Sequence, residues 1–167
     1  MSGVTPRSRS LFQVSVVAAI IVLLAAVLLN AVYYVQEKAE RTVIEATVLN
    51  IEKGLEIEVR TREIRGQASS IRDLVGVNPV SFLAKPPEGY AGVCRKTKAP
   101  GEWCFDEATR EIVYRPRLEA SLEFREPGRR DLRWRVGSAE ELAGGHTGGS
   151  AVVGGIRVFS TTSFVWH

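Results

Sequence analysis

The side chains best suited to covalent chemistry are Cys94 and Cys104, the two cysteines of this 167-residue chain. Between them runs Arg95 to Trp103, and Ala99-Pro100-Gly101 within it is a turn signal. Folding the segment about Ala99 sets Cys94 opposite Cys104. In an oxidising compartment that arrangement gives a cross-hairpin disulfide, closing a small loop worth about 2–3 kcal/mol. Two free thiols are the alternative. A zinc site would need further ligands, and His146 and His167, the two histidines of the chain, have no ligand-like spacing. Asp106-Glu107 offers carboxylates, but calcium takes about six to eight oxygens. The neighbours Ala108, Thr109 and Arg110 read as a turn instead. His146 sits among glycines and reads as a loop residue, not a general base. No Cys/His pairing, nucleophile elbow or phosphate-binding loop occurs. The expectation is therefore a protein without catalysis, metal or cofactor, whose Trp103, Trp134 and Trp166 pack on a sheet face.

The elements that must position these residues are of two unlike kinds. Ser10 through Gln36 carries no charge, although a quarter of the chain is charged. Leu11 to Val35 is apolar apart from Gln13, Ser15, Asn30 and the tyrosines near its end. About 20 apolar residues in a helix cross the hydrocarbon layer, so this run predicts a transmembrane helix with some tilt. Tyr33 and Tyr34 suit the headgroup layer. Arg7 and Arg9 precede the run with no acidic residue among the first ten, while Gln36 to Arg41 is mixed in sign. The basic excess stays inside, which sends the C-terminal part outward. A cleaved secretory signal is the rival reading. Its apolar core is normally shorter, about 7–15 residues, and followed by a small-residue site; here Ala25-Ala26 lies within the run.

Beyond the membrane the helix is expected to continue to about Arg62. At 1.5 Å per residue it would be roughly 75–80 Å long. Ile44, Val48, Ile51, Leu55 and Val59 recur at spacings of three and four and line one face. Glu37 with Arg41, and Glu58 with Arg62, are candidate i,i+4 pairs. Two features oppose the helix: Gly54, at a cost of about 1 kcal/mol relative to Ala, and the strand-like alternation of Leu55 to Arg60. Ile71, Leu74 and Val75 predict a short helical turn. Lys85 to Tyr90 is a Pro/Gly-punctuated loop.

Strand-like runs follow at Tyr90–Arg95, Glu102–Asp106, Glu111–Arg115, Leu132–Val136, and a last pair, Ile156–Phe159 with Ser163–Trp166. Short strands joined by tight turns predict a mostly antiparallel sheet, and a helix followed by strands gives an α+β layout. Gly137 to Gly155 is a glycine-rich linker or contact loop. The net charge of +3 is small. Arg129, Arg130, Arg133 and Arg135 are a scatter rather than a stripe with aromatic platforms, so no nucleic-acid partner is expected.

The whole chain resembles the type IV pilin and type II secretion pseudopilin superfamily. Ser10-Leu11-Phe12-Gln13 is similar to the Thr-Leu-Ile-Glu that opens such subunits, and Leu24-Ala25-Ala26-Val27 to their Leu-Ala-Ala-Val. Asn50 to Leu55 and Arg65-Gly66 resemble the helix end of a minor pilin. Asn78-Pro79-Val80, Leu83, Pro87, Gly89 to Gly92, Gly101 to Asp106 and Ile112-Val113-Tyr114 resemble, in order and spacing, a pattern common in pilin-like proteins. In this register Ser8 falls where the family has Gly before its cleavage site. Arg9 falls at the mature first residue, usually Phe or Met. Gln13 replaces the fifth-position Glu, which in the family neutralises a neighbour's N-terminal amine. Asn30 replaces a frequent kink proline.

The resemblance implies four parts: a cytoplasmic N-terminus (1–10), a transmembrane helix (11–35), its periplasmic continuation (36–65) and a sheet domain (66–167). It implies an inner-membrane subunit without catalysis, whose helix packs against other pilin or pseudopilin subunits in a filament core or initiating tip. Ala18, Ala19, Ala25, Ala26 and Ala31 would permit close helix approach. The partners implied are those subunits, the inner-membrane assembly machinery and the bilayer. The departures at Ser8, Arg9 and Gln13 point to an alternative, a stationary membrane-anchored scaffold or binding module.

Overall fold

The structure is a computed structural model describing residues 6–138 and 155–167; for residues 6–11 it describes the helix path alone. The fold is α+β. Helix α1 spans Pro6–Ile64, followed by two 3₁₀ turns, Ala68–Leu74 and Pro79–Phe82. Seven strands follow: β1 Tyr90–Val93, β2 Trp103–Asp106, β3 Glu111–Tyr114, β4 Leu122–Phe124, β5 Leu132–Ser138, β6 Ile156–Ser160 and β7 Phe164–Trp166. The chain divides into two units between Ala39 and Glu40. Helix α1 contributes to both, and each unit is described by itself.

In the second unit α1 packs on the sheet through its predicted stripe. Ile44, Ile51, Leu55 and Val59 are buried in the core, with Val48 partly buried against it. The strand-like alternation at Leu55 to Arg60 does not prevail, because the longer period places the apolar side chains on one helical face. Glu58 pairs with Arg62 at 2.8 Å. Arg41 also pairs with Glu45, at 2.8 Å. Gly54 is at a close approach: a Cβ there would lie 2.9 Å from the carbonyl oxygen of Phe82. The glycine opposes helix propensity but lets the second 3₁₀ turn sit against the helix. Asn78 starts that turn, its Oδ1 accepting from the Val80 N–H at 3.1 Å. Its Nδ2 donates to the Tyr90 hydroxyl at 2.7 Å, tying the turn to β1.

The main sheet has the order β1-β2-β3-β5-β6, and a second sheet pairs β4 with β7. Trp103, Ile112, Tyr114, Leu132, Trp134, Val136, Val158 and Ile156 join the core with the α1 stripe. Trp103 is the hub, with ring centroids 4.5 Å from Tyr114 and 5.6 Å from Trp134.

Two expectations are corrected. The last two strands do not pair with each other: β6 pairs with β5, and β7 pairs with β4. Leu122–Phe124 is too short to show periodicity, and its partner is distant in sequence, so local reading missed it. The cysteines are joined, Cys94 to Cys104, but not across a hairpin. β1 and β2 are parallel, with Tyr90 opposite Trp103 and Val93 opposite Phe105. The turn at Pro100-Gly101 forms, the Glu102 N–H donating to the Ala99 carbonyl at 3.1 Å, but it does not lay β1 antiparallel to β2. Gly101, at φ 81°, donates its N–H to the Arg115 carbonyl at 2.6 Å. The other ladders are antiparallel. Strand β5 runs through Ser138, two residues into the predicted glycine-rich segment. The rest of that segment, 139–154 with His146, lies outside the described residues.

Candidate functional site: an exposed apolar helix and a latched sheet

In the first unit, the feature that calls for an explanation is exposure. Helix α1 contains a stretch apolar and long enough to cross a membrane, and none of that stretch is buried within the chain. Leu23, Leu24, Val27 and Leu28 are each more than half exposed. A patch this large would be strongly unfavourable on a water-soluble surface, and its length and composition are compatible with crossing a membrane. Its polar members fit that setting. The Ser15 hydroxyl donates to the Phe12 carbonyl at 2.8 Å, which satisfies it within the helix. Gln13 and Asn30 are exposed, and the helix passes Asn30 without a break. Lys38 lies over the Tyr34 ring, 4.7 Å from its centroid. Arg7, Ser8 and Arg9 are helical; their side chains lie outside the described residues.

In the second unit three polar devices hold the sheet domain together. The first is Glu40. Pro116 follows the end of β3 and interrupts the ladder, leaving the next N–H groups in need of acceptors. Glu40 Oε1 accepts from the Tyr114 hydroxyl and the Arg117 N–H, both at 2.7 Å, and Oε2 accepts from the Leu118 N–H at 3.1 Å. Burial and the Glu40 carboxylate push the Tyr114 phenol up, so it remains a donor. Sequence reading missed Glu40, because nothing local distinguishes it from its charged neighbours.

The second is the strap between the cysteines. Cys104 and Val113 face away from α1 yet are fully buried. The segment 94–102 crosses that face, held at one end by the disulfide. Further along, Lys98 Nζ donates to Asp131 Oδ2 at 2.7 Å.

The third is Arg133, on the same outer face. Its Nη1 donates to Glu111 at 2.9 Å and Asp106 at 3.1 Å, and its Nη2 to Asp131 at 3.0 Å. Burial works to raise these three carboxyls, but hydrogen bonds and charge outweigh it. Arg133 holds Glu111 and Asp131 below the usual range, with Lys98 helping at Asp131. Asp106 is lowered by the Thr109 and Ala108 N–H groups as well as by Arg133. Those two N–H bonds make the turn expected at Asp106-Glu107. In the sequence Arg133 is one of a scatter of arginines; its role depends on register across three strands.

Among the described residues no cluster of three or more His, Cys, Asp or Glu could hold a metal. His167 is exposed, with Nε2 3.4 Å from Glu123. Between residues 41–52 of α1 and strand β7 lies an open apolar groove of about 650 Å³.

No family model, curated protein or solved structure matches this chain in comparisons with known proteins. What the structure shares with the pilin-like pattern is coarse: a long N-terminal apolar helix, a small sheet and a disulfide.

Proposed function

We propose that this chain is a non-catalytic, pilin-like or pseudopilin-like subunit of a type IV pilus or type II secretion pseudopilus. The observation carrying the reading is the bare, uncharged stretch of α1, continuous in sequence with a helix docked on a disulfide-strapped sheet. Such a helix is at home in a bilayer and equally in a filament core, where other helices replace lipid. Small residues such as Ala18, Ala25 and Ala26 favour that exchange. Arg7 and Arg9 argue for an N-terminus held in the cytoplasm, with the disulfide domain in the periplasm.

A second reading is a stationary inner-membrane scaffold or binding module of the same machinery. It is favoured by Gln13, an uncharged group where a filament subunit uses an acid to meet its neighbour's amine, and by the serine and arginine at the cleavage register.

Intact mass of the protein extracted from its native membrane separates the two. A species lacking Met1 to Ser8 and carrying one added methyl group supports the filament subunit. Full-length protein that crosslinks to inner-membrane machinery and never to other filament helices supports the stationary module and overturns the filament reading.

A further inference from the structure

The groove beside β7 has one wall that is a strand edge. In the β4–β7 ladder, His167 donates its N–H to the Ser121 carbonyl at 2.9 Å and Arg125 donates to Ser163 at 3.0 Å. With Glu123 opposite Val165, the alternation of an antiparallel pair turns the backbone groups of Phe164 and Trp166 away from β4. Both residues line the groove. The Trp166 carbonyl is met by Arg41 Nη1 at 3.2 Å. Among the described residues no such cap meets the Phe164 N–H and C=O or the Trp166 N–H. The opposite wall is apolar, built by Ile44, Val48 and Leu49 of α1 above Trp134.

The occupant is constrained by this chemistry. A lipid chain would fill the apolar space but offers nothing to strand N–H and C=O groups. A helix uses its backbone groups internally. An extended peptide supplies both, adding a strand to β7 while alternate side chains enter the apolar trough. The rim sets its charge. Arg41 is engaged by Glu45 and by the Trp166 carbonyl, whereas Glu52 makes no ion pair among the described residues. With Glu45 and Glu52 against Arg41, the rim is net acidic.

We infer that the groove between residues 41–52 of α1 and β7 is a docking site for an extended segment of a partner protein, alternating apolar and basic residues and adding a strand to β7. The inference rests on the second unit alone and is independent of the filament reading.

The test uses the full chain in nanodiscs and fluorescein-labelled peptides followed by anisotropy. A peptide alternating valine and lysine is expected to bind at least tenfold tighter than one alternating valine and glutamate. Glu52→Lys, on the groove rim, should narrow or reverse that preference with an unchanged thermal melt. Methylating alternate backbone nitrogens of the valine–lysine peptide, on the side facing β7, should weaken binding at least tenfold. No binding, equal binding of both peptides, or binding indifferent to N-methylation each overturns the proposal. A concentration-dependent dimer that Glu52→Lys abolishes assigns the groove to a second copy and overturns it too.

Discussion

Gly54 shows how a residue that weakens a local element can be required by its neighbour. Replacing it with alanine gains about 1 kcal/mol of helix propensity. The added methyl would meet the Phe82 carbonyl oxygen at 2.9 Å and its carbonyl carbon at 3.3 Å. Backbone atoms cannot swing aside as a flexible side chain does, and overpacking of this kind costs typically about 1–3 kcal/mol. Gly54→Ala is therefore expected to lose about 1 kcal/mol net, read as a lower Tm by circular dichroism. An unchanged or higher Tm would show that the Pro79–Phe82 turn yields freely. Asn78 acts at the same scale, capping that turn with one side-chain atom and tethering it to Tyr90 with the other.

At the scale of elements, the outer face of the sheet depends on one guanidinium shared by three carboxylates. Asp106, Glu111 and Asp131 have pKa values lowered in the fold. Their contribution is present above the ordinary carboxylate range and is lost as pH falls through the lowered folded values. Arg133→Met weakens that contribution. It leaves three clustered carboxylates with Lys98 as the remaining cation, beside Asp131, so the folded state resists their ionisation more than the parent does. The variant is expected to be about 2 kcal/mol less stable than the parent at pH 7. The gap should narrow as pH drops below about 4, where the unfolded carboxylates protonate. Urea melts from pH 3 to 7 measure it; a gap constant with pH would show that the loss is one of packing.

Much at this scale was legible in the sequence. The α1 stripe follows from the spacing of Ile44, Ile51, Leu55 and Val59, and six strands show in runs such as Leu132 to Val136. What escaped depended on partners far apart in the chain. Leu122–Phe124 becomes a strand only because β7 is beside it. The parallel β1–β2 pairing sets Tyr90 beside Trp103 although the turn at Pro100-Gly101 forms, so turn residues alone do not disclose it. Glu40 and Arg133 were invisible as sites for the same reason: their partners lie on other elements.

For the whole molecule, the separation into a bare apolar helix and a strapped sheet domain makes topology the decisive property. In the proposed orientation the positive-inside rule would give Arg7 and Arg9 the task of keeping the N-terminus inside. Arg7→Glu combined with Arg9→Glu is expected to invert or block insertion in a large fraction of molecules. Protease protection of the sheet domain in inverted and right-side-out vesicles reads this directly. Normal protection of the double variant would remove the basis for the proposed orientation.

The bond from Arg41 to the Trp166 carbonyl spans 125 positions of sequence, and that distance sets an order of events. A helix forms on a timescale of about a microsecond, whereas sheets built on contacts between remote segments assemble in about milliseconds to seconds. A stripe from Ile44 to Val59 that turned helical in that interval would have nothing yet lying over it. A factor that recognises this face then competes with the molecule's own strands on kinetic terms. The nascent protein thus has a brief, self-terminating period in which it can be captured, guided or misdirected before the sheet closes over the helix.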